Sequence, residues 1–257
     1  MAKNKLAKFA DMETIDFVLQ YPFAVLQRDG FPYKGKWHSE FFHNNNPIVV
    51  ELGCGKGEYT VELARKFPEC NFIGIDIKGA RMWSGASQAR AEGLKNVAFL
   101  RTSIELLDQF FAPGEVSRLW ITFPDPQMKK QRKRLTSSRF LRLYDNILER
   151  GGVINLKTDS PFLYAYTLGL CQANPEAVDI IHNVVDVHNR PAGTLPFLDI
   201  KTHYEKQWIA RGLTIKYLAF ALTAPADSIT EIDDTAFDRD TYRSYSRGTL
   251  ESEGLRT

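Results

Sequence analysis

Short apolar runs recur along this chain, separated by gaps that mostly have room for a helix. Residues 48–52, 71–77, 97–100, 118–123, 153–157, 181–187 and 215–222 each read as a strand. That rhythm predicts an α/β fold built on an open, mostly parallel sheet. One helix is marked in full: Thr136-Ser137-Ser138 offers caps, Phe140, Leu141, Tyr144, Ile147 and Leu148 recur at helical spacing, and Gly151-Gly152 stops it. Residues 1–46 are polar and basic at first, then broken by Pro22, Gly30, Pro32 and Gly35, and read as a partly mobile N-terminal arm. Residues 47–222 carry the domain. Residues 223–257 read as a polar, acidic, loosely packed tail.

The first strand runs into a glycine loop, Glu51-Leu52-Gly53-Cys54-Gly55-Lys56-Gly57. Alternating glycines let backbone approach a ligand closely, as a nucleotide-cradling turn requires. A dinucleotide fingerprint starting at Gly53 would need glycine at 58, where the chain has Glu58. The observed E-x-G-x-G-x-G spacing matches S-adenosylmethionine (SAM) sites better than dinucleotide ones, the other reading being a plain strand-turn-helix with glycines for packing. A second run, Asn71-Phe72-Ile73-Gly74-Ile75-Asp76, also ends in an acid, placed to accept from ribose hydroxyls. That acid alone does not separate SAM from NAD, since both carry a ribose.

Composition bounds the rest. At 257 residues, 44% hydrophobic and 25% charged, the chain has the size for one sizeable α/β domain. No apolar stretch approaches the roughly 18 residues of a membrane span, and the first residues lack the apolar core of a secretory signal, so a cytoplasmic location is expected. Cys54, Cys70 and Cys171 are widely spaced and read as free thiols. The five histidines show no metal-binding spacing, and no metal is expected. The net charge of +2 hides local polarity: Lys129-Lys130-Gln131-Arg132-Lys133-Arg134 has five cations in six residues, while Glu231, Asp233, Asp234, Asp238 and Asp240 lie in the tail.

The basic run follows Phe123-Pro124-Asp125-Pro126, a proline-bracketed carboxylate at the end of the fourth predicted strand. In an open α/β sheet that strand end lies beside the first, where ligands bind. An acid inside and cations outside suit a nucleotide acceptor, because phosphate contacts orient RNA while a carboxylate reads a base edge. Downstream stand Lys157-Thr158-Asp159 and Thr202-His203-Tyr204-Glu205-Lys206. Asp159 has two readings from sequence, a guanine contact or the cap of a helix at Asp159-Ser160-Pro161.

Taken in order over residues 47–222, these motifs resemble the bacterial tRNA (guanine-N7-)-methyltransferases. The resemblance implies a Rossmann-like SAM-dependent methyltransferase fold, with seven strands, the last antiparallel, and helices on both faces. It implies SAM at Glu51, Gly53, Gly55, Gly57 and Asp76, with Ser103 at the position of an acid near the adenine. Asp125 is the implied catalytic group. Lys129, Lys130, Arg132, Lys133, Arg134, Asp159, Thr202, His203, Tyr204 and Glu205 would face a tRNA substrate, whose variable-loop guanine receives the methyl group. Three positions depart from the family: Gln127-Met128 replaces Trp-Pro of D-P-W-P-K, Ser103 replaces the acid, and His203 stands where an acid or other polar residue is usual. Guanine N7 carries a lone pair and no proton, so in-line transfer needs no general base. A methyltransferase for a small molecule would share the loop but have no use for clustered cations. A noncatalytic RNA binder with a relic loop would not need Asp125.

Overall fold

All five residues of β2 (Ile48–Leu52) are buried, as expected of a strand covered on both faces of a parallel sheet. Its side chains alternate: Ile48, Val50 and Leu52 enter one apolar core and Val49 the other. The computed structural model describes residues 2–21, 23–191 and 193–242. In chain order its elements are α1 (Ala2–Met12), β1 (Val18–Gln20), α2 (Phe23–Asp29), a π-helical turn (Trp37–Phe42), β2, α3 (Glu58–Lys66), β3 (Asn71–Asp76), α4 (Gly79–Ala91), β4 (Val97–Arg101), α5 (Leu107–Phe110), β5 (Val116–Thr122), α6 (Ser138–Asp145), β6 (Leu148–Thr158), α7 (Pro161–Ala173), β7 (Val178–Val184), α8 (His203–Ile209) and β8 (Lys216–Leu222).

The strands form one sheet in the order β1-β4-β3-β2-β5-β6-β8-β7. β8 runs antiparallel between β6 and β7; the other pairings are parallel. α3, α4 and α8 pack on one face, and α5, α6 and α7 on the other. Strand order reverses between β2 and β5, so their C-terminal ends open a crevice there. No helix among the described residues is long and apolar enough to cross a membrane.

Several expectations change. Among the described residues there are eight strands, not seven, because Val18–Gln20 pairs with Phe99–Arg101 of β4. The arm is packed: Trp37 is fully buried among Phe31, Phe42 and Phe111, and its indole N–H donates to the Phe110 carbonyl at 3.0 Å. α6 ends at Asp145, and Gly151-Gly152 lies inside β6 where the register against β5 shifts. Gly151 is left-handed there (φ 80°), so the pair forms a bulge instead of a helix stop. β7 begins three residues earlier than expected and ends at Val184; Asp186 then accepts from the His188 N–H and turns the chain. Residues 223–242 differ from the loose tail expected, with Ala226 and Ile229 buried in the core; residues 243–257 lie outside the described residues.

Candidate active site

The glycine loop is held from below by β3. The Gly53 and Cys54 N–H groups both donate to the Ile75 carbonyl, at 2.8 and 2.9 Å, and the Gly55 N–H donates to Asp76 Oδ2 at 2.9 Å. Asp76 Oδ1 accepts from the Lys78 N–H at 2.7 Å, so this carboxylate fixes both loops. A Cβ at Gly53 would meet nothing within 4 Å, whereas one at Gly57 would stand 2.6 Å from the Phe99 ring. Gly53 therefore opens toward the crevice, and Gly57 packs tightly at the start of α3. On α4, Gly85 completes the fit: a Cβ there would lie 2.7 Å from the Lys56 carbonyl oxygen.

Glu51 is buried at the end of β2 and accepts from the hydroxyls of Thr60 and, at 2.6 Å, Thr122. Burial dominates those two hydrogen bonds and pushes its carboxyl up to about 7. Next to it, burial also raises the Cys54 thiol well above the ordinary range, so Cys54 is no nucleophile at neutral pH. At the end of β4, Ser103 is half-buried, and the buried Thr102 hydroxyl has no partner among the described residues.

A cleft of 570 Å³ extends from Glu51 and Gly53 on one side to Asp125, Thr202, His203 and Tyr204 on the other. Asp76 and Ser103 lie outside its lining; Asp76 reaches the cleft only through Gly55. Asp125 is exposed, and its Oδ1 accepts from the Gln127 N–H at 3.0 Å. Besides the prolines, two left-handed residues shape this loop, Phe123 (φ 49°) and Gln127 (φ 46°). Such a conformation is costly for a bulky side chain and is concentrated at functional sites. The Phe123 ring lies edge-on to Tyr204 at 5.6 Å, so two aromatic side chains stand beside Asp125.

The expected acceptor residues divide by burial. Lys129, Lys130, Arg132 and Lys133 are exposed, but Arg134 is 1% exposed and paired with Asp234. Asp159 is buried and accepts from the Tyr242 hydroxyl at 2.7 Å; Ser160, not Asp159, caps α7, accepting from the Leu163 N–H. Thr202 caps α8 by accepting from the Glu205 N–H at 3.1 Å. His203 and Tyr204 face the cleft, whereas Glu205 is buried against Lys157. The cleft also takes residues the motifs did not single out, Lys56, Arg81 and Gln207. Glu58 joins them and accepts from the His203 N–H at 2.6 Å, tying α3 to α8.

A family model described as "Putative methyltransferase" matches residues 45–218. The chain is 60% identical over 238 residues to the tRNA (guanine-N(7)-)-methyltransferase of Porphyromonas gingivalis, covering 92% of this chain and 96% of that one. It is 50% identical over 257 residues to the protein of the same name from Bacteroides thetaiotaomicron, covering 100% and 99%. The chain belongs to the tRNA (guanine-N7-)-methyltransferase family. Among solved structures, the 16S rRNA methyltransferase KamB shares the fold at a TM-score of 0.56 and 15% identity, over 74% of this chain and 94% of that one. Gln127 stands at a left-handed position, and its backbone N–H holds the Asp125 carboxylate.

Proposed function

We propose that this chain transfers a methyl group from SAM to N7 of a guanine in the variable loop of tRNA, in the cytoplasm. The observation that carries the reading is one cleft with a glycine loop and buried acid on one wall and Asp125 and Tyr204 on the other; the exposed cations Lys129, Lys130, Arg132 and Lys133 follow Asp125 in the chain and lie outside that lining. The relatives' shared name supports the choice of acceptor.

The residues present fit the cofactor. Gly53 leaves open space above the loop, Glu51 is a buried carboxyl held up to about 7 that a neighbouring cation would ionise, and Asp76, outside the cleft lining, fixes the loop through the Gly55 N–H. When bound, SAM supplies an electrophilic methyl group on a sulfonium. Positive charge then develops on the guanine ring, and Asp125 is placed to stabilise it while accepting from the N–H groups of the base. No residue needs to remove a proton, because N7 has none. The chain's task is positioning, an effect that reaches on the order of 7–11 kcal/mol in well-oriented systems. Phe123 and Tyr204 offer faces for a base, and Lys129, Lys130, Arg132 and Lys133 offer cations to phosphates.

The test is methyl incorporation from labelled SAM into an unmodified tRNA transcript, mapped by the chain cleavage that follows N7-methylguanine loss. One labelled variable-loop guanine is expected. No label in tRNA with SAM binding intact would reassign the acceptor.

A further inference from the structure

Arg134 belongs by sequence to the basic run, yet it does not serve RNA from where it lies. Its guanidinium is buried against the rings of Phe162 and Tyr166, 4.6 and 4.4 Å from their centroids. It pairs with Asp234, which also holds Arg239 at 3.0 Å. In the other direction Nε donates to the Pro126 carbonyl and Nη2 to the Met128 carbonyl, both at 3.2 Å. These two carbonyls belong to the loop that carries Asp125. One side chain thus joins the C-terminal segment to the acceptor loop.

The same segment grips further points. Glu231 accepts from the Ser138 N–H at 3.0 Å and the Tyr166 hydroxyl at 2.8 Å, and the Ile232 carbonyl accepts from Gln131 Nε2 at 2.6 Å. Asp240 accepts from the Ser160 hydroxyl at 2.5 Å and the Phe162 N–H at 3.1 Å. Tyr242 then donates to Asp159. Of the two carboxylates expected near the guanine, Asp159 is bonded directly to Tyr242, and the loop that carries Asp125 is linked to Asp234 through Arg134.

We propose that residues 224–242 form a strap that sets the acceptor side of the cleft, with Arg134 as the positioning residue that couples the strap to the Asp125 loop. The proposal rests on the methyltransferase reading for its turnover readout and not for its structural one. A planar fork is what the site uses: two carbonyls, one carboxylate and two ring faces are met at once, which an ammonium does not reproduce. Arg134→Lys keeps the charge and loses the fork.

The experiment compares Arg134→Lys, Arg134→Gln, Asp234→Asn and Tyr242→Phe with the wild-type full chain by amide hydrogen exchange, SAM affinity, the salt dependence of tRNA binding, and kcat and KM for tRNA. For Arg134→Lys and Asp234→Asn we expect at least tenfold faster exchange in residues 124–130. Exchange in β2 and α3 and SAM affinity should stay within twofold of wild type, kcat should fall at least tenfold, and KM should move less than threefold. Tyr242→Phe should lower kcat and leave exchange in 124–130 unchanged. The slope of log affinity against log salt should be the same for Arg134→Gln as for wild type, since a buried guanidinium releases no counterion. Wild-type kcat and loop exchange in Arg134→Lys would overturn the proposal. So would a slope reduced by about one phosphate contact in Arg134→Gln, or exchange rising equally across the whole sheet. Full kcat in Tyr242→Phe would overturn the Asp159 half. Failure of the methyltransferase reading would appear separately, as a wild type that labels no tRNA while the exchange pattern persists.

Discussion

Lys157 and Glu205, 48 residues apart, form an ion pair at 2.8 Å in which neither side chain is exposed. The ammonium also donates to the carbonyls of Ile200 at 2.8 Å and Leu198 at 3.4 Å, so its three protons are all used. The other carboxylate oxygen meets His188 Nε2 at 3.0 Å. Glu205 stands in the first turn of α8, next in the chain to Thr202, His203 and Tyr204, which line the cleft. Burial lowers the Lys157 pKa, and Glu205 opposes that shift.

Removing one partner strands a buried charge, so Lys157→Met should cost about 3–5 kcal/mol, read as a urea-unfolding midpoint. The double variant Lys157→Met with Glu205→Leu removes both charges and should recover most of that stability. It should not recover turnover, because the apolar pair no longer fixes the first turn of α8. Full activity in the double variant would reduce the pair to a structural role.

Asp125→Asn keeps an oxygen that can accept from the Gln127 N–H and so preserves the loop. It removes only the negative charge. The expected result is kcat lower by about 10²-fold, the scale of a lost electrostatic contact to a transition state, with SAM affinity within twofold of wild type by calorimetry. Unchanged turnover would show that the carboxylate's charge does not stabilise the methylated base.

The central sheet was readable because β2, β3 and β5 are continuous apolar runs whose ends carry the chemistry, Glu51, Asp76 and Asp125. β1 was not, since Val18-Leu19-Gln20 is too short to show a period and is recruited only by the edge of β4. Gly151-Gly152 read as a helix stop, because the bulge that uses it depends on the register of β5. In the basic run, Arg134 and Lys133 look alike by sequence. Their fates separate through Phe162, Tyr166 and Asp234, partners 28 or more positions away that no local pattern reveals. Glu58 was read only as a missing glycine, yet it bonds the backbone of α8.

Gly85→Ala tests the seat of the glycine loop. The added methyl would stand 2.7 Å from the Lys56 carbonyl oxygen and 2.9 Å from Gly57 Cα, both backbone atoms that cannot swing aside. α4 must move away from the loop, at a cost of about 1–3 kcal/mol for an overpacked contact. Because Gly57 begins α3 and follows Gly55, the shift should also weaken SAM binding about tenfold, a loss of roughly 1.4 kcal/mol. Thermal unfolding and calorimetry read the two effects. Unchanged SAM affinity in a destabilised variant would mean the loop does not depend on α4.

Glu51 makes the ligand-free protein sensitive to pH. In the unfolded chain its carboxyl ionises near the ordinary 4.5, while burial in the folded chain holds it up to about 7. The folded state therefore keeps a proton that the unfolded state has already lost between those values. Stability from this group is complete below pH 4.5 and declines as pH rises to about 7, at about 1.4 kcal/mol per pH unit, giving a total near 3 kcal/mol. Glu51→Gln cannot ionise, so its stability relative to wild type should rise between pH 5 and pH 8, measured by urea unfolding at both. Binding a cationic cofactor beside Glu51 favours the carboxylate, so calorimetry at pH 6.5 in buffers of different ionisation enthalpy should detect proton release with wild type and none from this position in Glu51→Gln. A stability difference between the two proteins that stays flat with pH would show that Glu51 is ionised in the folded chain, and the expected proton release would disappear with it.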